Sequence, residues 1–419
     1  MVWITAMKRK GGGRSGHRIH HGAAIVFLFL LTAAIPGALQ GQTFAWGIDP
    51  PLMNNDPQWE KVKTLWAGHY GGKNLTELLE ILAPLKDKYP NNVEPYLWLA
   101  RVNYLHARYE RSDRDAFFDK SEKYCVQALK IDPRNQLAIR YLVDTLCYSR
   151  DREYIARNYG ALIKSFAPLP ISDALPDLAN GNGWSEFKKL WEARADIPKA
   201  QSAIAMMENM AAQNPNNALI QTWAARVEYY LGEYYTLHGE HDTKAMPYYK
   251  KGIAYAEKAR KLQPNSVYAN YWYQINLARS IQMTSLLNKA RYLMDLLTPL
   301  LYCSRENSLY YFAGPVLCLG TMVTNGGWVT EKGMVIASIN LDIEMNGLEQ
   351  SEILYPDYLY IPYARADILA YKGKKTEAMA ILEKIVAANP DANPLIPENR
   401  SFQMAAKDLL NDLRQGKRY

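Results

Sequence analysis

Cysteine is scarce in this chain: four in 419 residues, at positions 125, 147, 303 and 318. None follows the apolar stretch near the N-terminus, so there is no lipobox and no lipid anchor of that kind. Long apolar runs are missing too. Ala23 to Ile35 is thirteen residues, too short to span a bilayer comfortably. No strand-like alternation of useful length is present. A nucleophile elbow, a P-loop, a Rossmann glycine fingerprint and a His-Glu-x-x-His motif are all absent, and the carboxylates scatter along the sequence without an obvious close pair. These absences predict a protein that is not an enzyme and that holds no cofactor.

An excess of positive charge is also missing once the N-terminus is set aside. The whole chain carries 49 Lys and Arg against 42 Asp and Glu. Five of the bases (Lys8, Arg9, Lys10, Arg14 and Arg18) lie in residues 1–45, which hold no acid, so the remainder has 49 − 5 = 44 bases against 42 acids. Nucleic-acid binding needs a basic patch, and this balance argues against it. The basic start, the apolar run and then Pro36-Gly37-Ala38 have the layout of a secretory signal. Residues 1–45 are predicted to be a signal peptide, cleaved after Ala45 or Gly41; an uncleaved anchor in the inner membrane is the alternative. The His17, His20, His21 cluster belongs to that segment and is not read as a metal site.

What the chain has in quantity is aromatic residues, 30 Tyr and 10 Trp, and a copy of itself. At a shift of 125, Trp59, Lys63 and Leu65-Trp66 fall on Trp184, Lys188 and Leu190-Trp191. Pro90-Asn91-Asn92 falls on Pro215-Asn216-Asn217, and Trp98, Ala100, Arg101, Val102 and Tyr104 fall on Trp223, Ala225, Arg226, Val227 and Tyr229. At a shift of 131, Tyr124, Ala128, Lys130, Pro133, Ala138 and Leu146 match Tyr255, Ala259, Lys261, Pro264, Ala269 and Leu277. Matching Trp and Pro at such distances point to repeated helical units, which mostly bind rather than transform.

Helical periodicity is punctuated by joins built on Pro with Asn, Asp or Ser: Tyr89-Pro90-Asn91-Asn92, Asp132-Pro133-Arg134-Asn135, Asn214-Pro215-Asn216-Asn217, Gln263-Pro264-Asn265-Ser266, Tyr355-Pro356-Asp357 and Asn389-Pro390-Asp391. Proline cannot continue a helix, and the polar residue caps the next. These joins look like those of tetratricopeptide helix pairs. The best unit runs from Tyr363 to Pro390, with Ala366 and Ala378 where that repeat needs small residues. The predicted fold is all-α: tetratricopeptide-like helix pairs forming an α-α superhelix, internally duplicated. Residues 46–166 form a first half, 167–184 a linker or ordered loop rich in Pro and Gly, and 185–419 a second half with C-terminal repeats. A further irregular stretch is expected at Asn325-Gly326-Gly327-Trp328, before a helix near Lys332.

The chain after residue 45 resembles the T-component family of TRAP transporters, periplasmic tetratricopeptide proteins linked to solute uptake. Asp56-Pro57 with Trp59 and Leu65-Trp66 is similar to that family's opening helices. Tyr271-Trp272-Tyr273-Gln274-Ile275-Asn276-Leu277-Ala278-Arg279 resembles its aromatic-Trp…Asn-Leu-Gly-Arg helix, with Ala278 in place of Gly. Leu319-Gly320 and Gly326-Gly327-Trp328 resemble its Leu-Gly…Gly-Gly loop, without the preceding Pro run. Gly373 to Pro390 and Ala405-Ala406-Lys407-Asp408-Leu409-Leu410 are similar to its closing helices. The resemblance implies a helical superstructure with a cavity or pore, a ring-like homo-oligomer and a periplasmic location. It also implies association with a solute-binding subunit, and a small apolar or carboxylate ligand. A general envelope scaffold gripping a peptide or helix is the rival reading, and its partner would be another envelope protein.

The candidate ligand- or partner-binding residues are Tyr268, Tyr271, Trp272, Asn276, Arg279 and Trp328. Tyr268, Tyr271 and Trp272 share one helical face, with Tyr273 about 100° away. They line a ligand channel or fill a helix-pair core; both readings stand on sequence alone. Asn276 and Arg279, at i and i+3, can meet. Arg279 then pairs with a ligand carboxylate, with helix-end carbonyls or with an acid of a neighbouring repeat. Arg101 and Arg226, equivalent in the two copies, read as stems packed on the next repeat. His238 and His241 have no Cys and no third His nearby; Glu240 and Asp242 could help, but no metal site is expected. Cys125 and Cys147 fall on consecutive helices, about 6 Å out of register for a disulfide, and buried free thiols fit as well.

Overall fold

At three of the six joins the polar residue caps the next helix through its side chain. Asn135 Oδ1 accepts from Ala138 N (3.0 Å), Asn217 Oδ1 from Leu219 N and Ile220 N (3.0 and 3.1 Å), and Ser266 Oγ from Ala269 N (3.2 Å). Asp56 caps the first helix through Gln58 N (2.9 Å), with Pro57 at the first helical position. Each cap satisfies amide groups that a helix start leaves unpaired.

A computed structural model of the chain describes residues 49–50, 56–110, 112–165, 183–282, 284, 289, 291–336, 341–393 and 396–417. Residues 1–45, read as a signal, and most of the 167–184 linker lie outside the described residues. Among those described there are seventeen α-helices and no strand. They are α1 (Pro57–Ala67), α2 (Leu75–Lys88), α3 (Glu94–Tyr109), α4 (Arg114–Ile131), α5 (Gln136–Ser149), α6 (Arg152–Ser165), α7 (Trp184–Glu192), α8 (Ile197–Gln213), α9 (Ala218–Leu237), α10 (Met246–Leu262), α11 (Val267–Ser280), α12 (Leu293–Glu306), α13 (Tyr310–Ile336), α14 (Leu341–Leu354), α15 (Tyr360–Tyr371), α16 (Lys375–Ala387) and α17 (Asn399–Arg414). No helix among the described residues is long and apolar enough to cross a membrane.

Neighbouring helices pack along the chain, and α3 on α5, α9 on α11 and α15 on α17 add contacts between alternate helices. The second half also touches the first, α12 on α3 and α14 on α5 and α6. Residues that match at the shift of 125 take like places: Trp59 and Trp184 in α1 and α7, Trp98 and Trp223 in α3 and α9, all buried. Close approach depends on small residues. Ala128, Ala225, Ala256 and Ala259 are fully buried, and a Cβ at Gly252 of α10 would strike the amide of Asn276 on α11.

Two sequence expectations are corrected. Trp184, placed at the end of the linker, is the first residue of α7, preceded by Gly183 at φ 82°. The irregular stretch expected at Asn325-Gly326-Gly327 is helical, inside α13. A helical Gly costs about 1 kcal/mol relative to Ala, which a helix of this length tolerates.

Candidate functional site

α11 carries five of the six candidate residues, and it lies in the core. Tyr268, Tyr271, Trp272, Asn276 and Arg279 are all at most 5% exposed, so α11 has no free face. Trp272 Nε1 donates to the Tyr310 hydroxyl (2.8 Å). The Tyr271 and Tyr310 rings meet edge to face at 5.0 Å, a favourable aromatic geometry. Asn276 Nδ2 donates to Ala225 O on α9 (3.2 Å) and to Trp272 O (2.7 Å). Arg279 Nη2 pairs with Glu233 of α9, and Nη1 donates to Gln282 Oε1 (2.9 Å). Arg279 thus meets an acid of a neighbouring helix, one of the partners the sequence left open. These residues tie α11 to α9, α10 and α13. Trp328 lies in α13, but its side chain is outside the described residues.

Beside this core, between α9 and the start of α17, is a cavity of about 340 Å³. Five Tyr rings and one Phe ring line it, Tyr229, Tyr230 and Tyr234 from α9, Tyr311 from α13, Tyr358 and Phe402, together with the His238 imidazole. Arg226, Glu233, Glu398 and Arg400 line it as well, with Met404 at 50% exposure. None of the α11 candidates is among the lining residues; Arg226 and Tyr311 stand between. The Arg226 guanidinium lies 4.8 Å from the Trp272 ring and 5.0 Å from those of Trp191 and Tyr311. Its Nη2 donates to the Tyr311 hydroxyl (2.9 Å) and lies 3.5 Å from Glu398 Oε1. Arg194 reaches the same oxygen at 3.6 Å.

Tyr311 reaches the cavity through an unusual backbone. Tyr311, Phe312 and Ala313 have φ of 46°, 55° and 58°, a left-handed turn at the head of α13. Each such residue costs about 1–2 kcal/mol. Opposing that cost, Phe312 stacks on Tyr358 at 4.2 Å and Tyr311 bonds Arg226. Burial pushes the phenols of Tyr229, Tyr230 and Tyr358 above their ordinary pKa, so they stay neutral donors.

The sequence pointed to Arg226 through its duplicate Arg101, but only as a packed stem. It gave no pointer to Glu398, Tyr311 or Tyr230; the one local signal at Glu398 is its place just before a helix, after Pro397. His238 Nδ1 lies 2.7 Å from Tyr234 O and His241 Nε2 3.0 Å from Arg279 O. Among the described residues, no three His, Cys, Asp or Glu are grouped to hold a metal. All four cysteines are buried free thiols.

No protein-family model matches the chain, and no curated protein matches it in sequence.

Proposed function

We propose that the chain is an exported tetratricopeptide-type binding protein that holds a small ligand in the cavity between α9 and α17. In this reading it serves periplasmic solute transport as an accessory component like the T component of TRAP systems. The observation that carries the binding reading is the ring-lined cavity itself, of a size and lining that suit a small molecule. The transport role rests on the family resemblance and on the basic, apolar and small-residue layout of residues 1–45. The repeat type is supported by Ala366 and Ala378, both fully buried where the helix pair needs small residues. A peptide-gripping scaffold would present its Asn and Arg on an open groove. Asn276 and Arg279 are instead buried and bonded internally, which favours ligand handling.

The test is native mass spectrometry of the protein purified from its own host, beside a Ser401→Trp variant. Ser401 lines the cavity and is half-buried, so an indole there fills the space without deleting a core contact. A small molecule retained by the native chain and lost from the variant supports the reading, and the same spectra give the oligomeric state. A ligand-free protein that carries another envelope protein overturns it in favour of the scaffold.

A further inference from the structure

Most polar groups on the cavity wall are already engaged inside the chain. The Tyr229 hydroxyl donates to Glu233 Oε2 (3.0 Å), the Tyr230 hydroxyl to Arg194 O (2.9 Å), and the Tyr311 hydroxyl accepts from Arg226 Nη2 (2.9 Å). Arg400 grips Asp391 at 2.6 and 3.1 Å. Glu398 Oε1 is enclosed, at 3.6 and 3.5 Å from Arg194 and Arg226. Tyr234 and Ser401 are half-buried and His238 is exposed, so water serves them.

Tyr358 differs. It is 2% exposed, yet its hydroxyl keeps accessible surface and forms no hydrogen bond with any described residue. Burial pushes this phenol well above its ordinary pKa, and Tyr311, Tyr271, Glu398 and Tyr229 add to the shift. Three of those four line the cavity, as Tyr358 does, which sets the phenol oxygen on its wall. The hydroxyl is therefore a neutral donor whose partner comes from the cavity, either water or a ligand. Its ring is held in place, since Phe312 stacks on it at 4.2 Å and Phe402 meets it edge-on at 5.5 Å. A fixed donor in an apolar wall is preorganised for one acceptor.

Resting on the binding role proposed above, we infer that the cavity takes an apolar compound carrying a carbonyl group, and that Tyr358 reads the carbonyl. The hydroxyl donates to the carbonyl oxygen in place of water, and the apolar body packs among Tyr230, Tyr311 and Phe402. A ligand of the same shape without that oxygen displaces the water and leaves the phenol without a partner, so it binds more weakly.

Calorimetric titration of the full chain with two matched probes tests this. They are acetylnaphthalene and isopropenylnaphthalene, substituted at the same ring position and differing only in a carbonyl oxygen against a methylene. One neutral hydrogen bond predicts acetylnaphthalene binding about three- to ten-fold tighter. Tyr358→Phe removes the hydroxyl and no hydrogen bond of the fold, and should bind the two alike; Tyr234→Phe should keep the preference. Equal binding of the two probes to the native chain overturns the inference, and so does a preference that survives in Tyr358→Phe. Loss of both probes from Ser401→Trp locates their binding in the cavity, and the binding role then stands whatever Tyr358 does. Probes that bind the native chain and Ser401→Trp alike, or bind neither, overturn the inference and the cavity as a ligand site together. The native chain's preference is read first, so the inference can fail even if a variant does not fold.

Discussion

Removing Glu233 should cost this protein more than removing almost any other acid, and the size of that cost tests whether Arg279 belongs to the fold or to a ligand. The two side chains are 6% and 1% exposed and pair directly, α9 to α11. Burial works against the charge on Arg279, yet Glu233 beside it lifts its pKa further above the ordinary range. Glu233 also accepts from Tyr229 at 3.0 Å and lies 3.5 Å from the Tyr249 hydroxyl. Glu233→Leu therefore strands a buried guanidinium and removes the acceptor of two phenols. Breaking a buried pair on one side costs about 3–5 kcal/mol, while replacing both members by apolar residues of like volume is often near neutral. The expected pattern in urea unfolding is a loss of about 4 kcal/mol in Glu233→Leu, a similar loss in Arg279→Met, and a much smaller loss in the double variant. The exposed pair Lys61–Glu77, at 3.1 Å with side chains 60% and 47% exposed, is the control; Lys61→Met should change stability by less than about 1 kcal/mol. If Arg279→Met folds with undiminished stability, the structural role assigned to Arg279 is wrong and ligand contact becomes its better account.

Three smaller predictions follow from neighbouring contacts. Glu228 is fully buried, and its carboxyl is pushed up to about 9 from 4.5, by burial first and by Glu208 second. Its folded-state pKa exceeds its unfolded one, so stability is highest in acid and falls as pH rises from about 4.5 to about 9. At neutral pH the loss is about 3 kcal/mol; Glu228→Gln should remove that slope in unfolding measured against pH, and an unchanged slope refutes the assignment. Gly252→Ala should destabilise by about 1–2 kcal/mol despite its better helix propensity, since Asn276 is pinned by two backbone carbonyls and cannot yield; a stabilised variant would show that α10 and α11 are not that close. Asn217→Ala should cost about 1 kcal/mol through the lost cap on α9, read by the same denaturation.

Local features of the fold were legible in the sequence. Pro133 with Asn135, Pro215 with Asn217 and Pro264 with Ser266 act within a few residues of themselves, so a helix end and the next cap can be read off directly. Duplicated Trp98 and Trp223 announced repeated helical units, because large rings seldom match by accident, and both lie buried at like places in the two copies. The site was less legible, because its members come from helices far apart in the chain. Nothing near Arg279 in sequence says that Glu233 faces it, and nothing near Arg226 says that Glu398 does. Residue type alone left Asn276 and Arg279 able to serve a ligand or a neighbouring helix. Gly326-Gly327 misled because a helix tolerates Gly in its interior at a modest cost, so the local signal does not by itself end one.

The two copies put one buried arginine to two structural uses. Each half holds a buried arginine among rings, Arg101 with Trp66, Tyr104 and Tyr141, and Arg226 with Trp191, Trp272 and Tyr311. Around Arg101 the space is closed by the chain itself. Its Nη2 donates to Glu306 O at 2.7 Å, and the Glu306 carboxylate is bonded by Tyr109 at 2.7 Å and faces His69 at 3.1 Å. Burial pushes the Glu306 carboxyl up, but His69 and Arg101 outweigh it and hold the group below the usual range. Asp49 completes the cluster, accepting from Trp66 Nε1 at 3.0 Å. That arginine fastens α3 of the first half to α12 of the second. Its duplicate faces Glu398, whose side chain is 14% exposed against 3% for Glu306 and lines a cavity rather than a seam. The arginine and its rings are shared between the copies, whereas both acids, Glu306 and Glu398, come from the second half. At Arg101 the sealed, fully bonded acid closes a seam between the halves, and at Arg226 the acid borders a cavity, which is the place the proposed binding role assigns to a ligand.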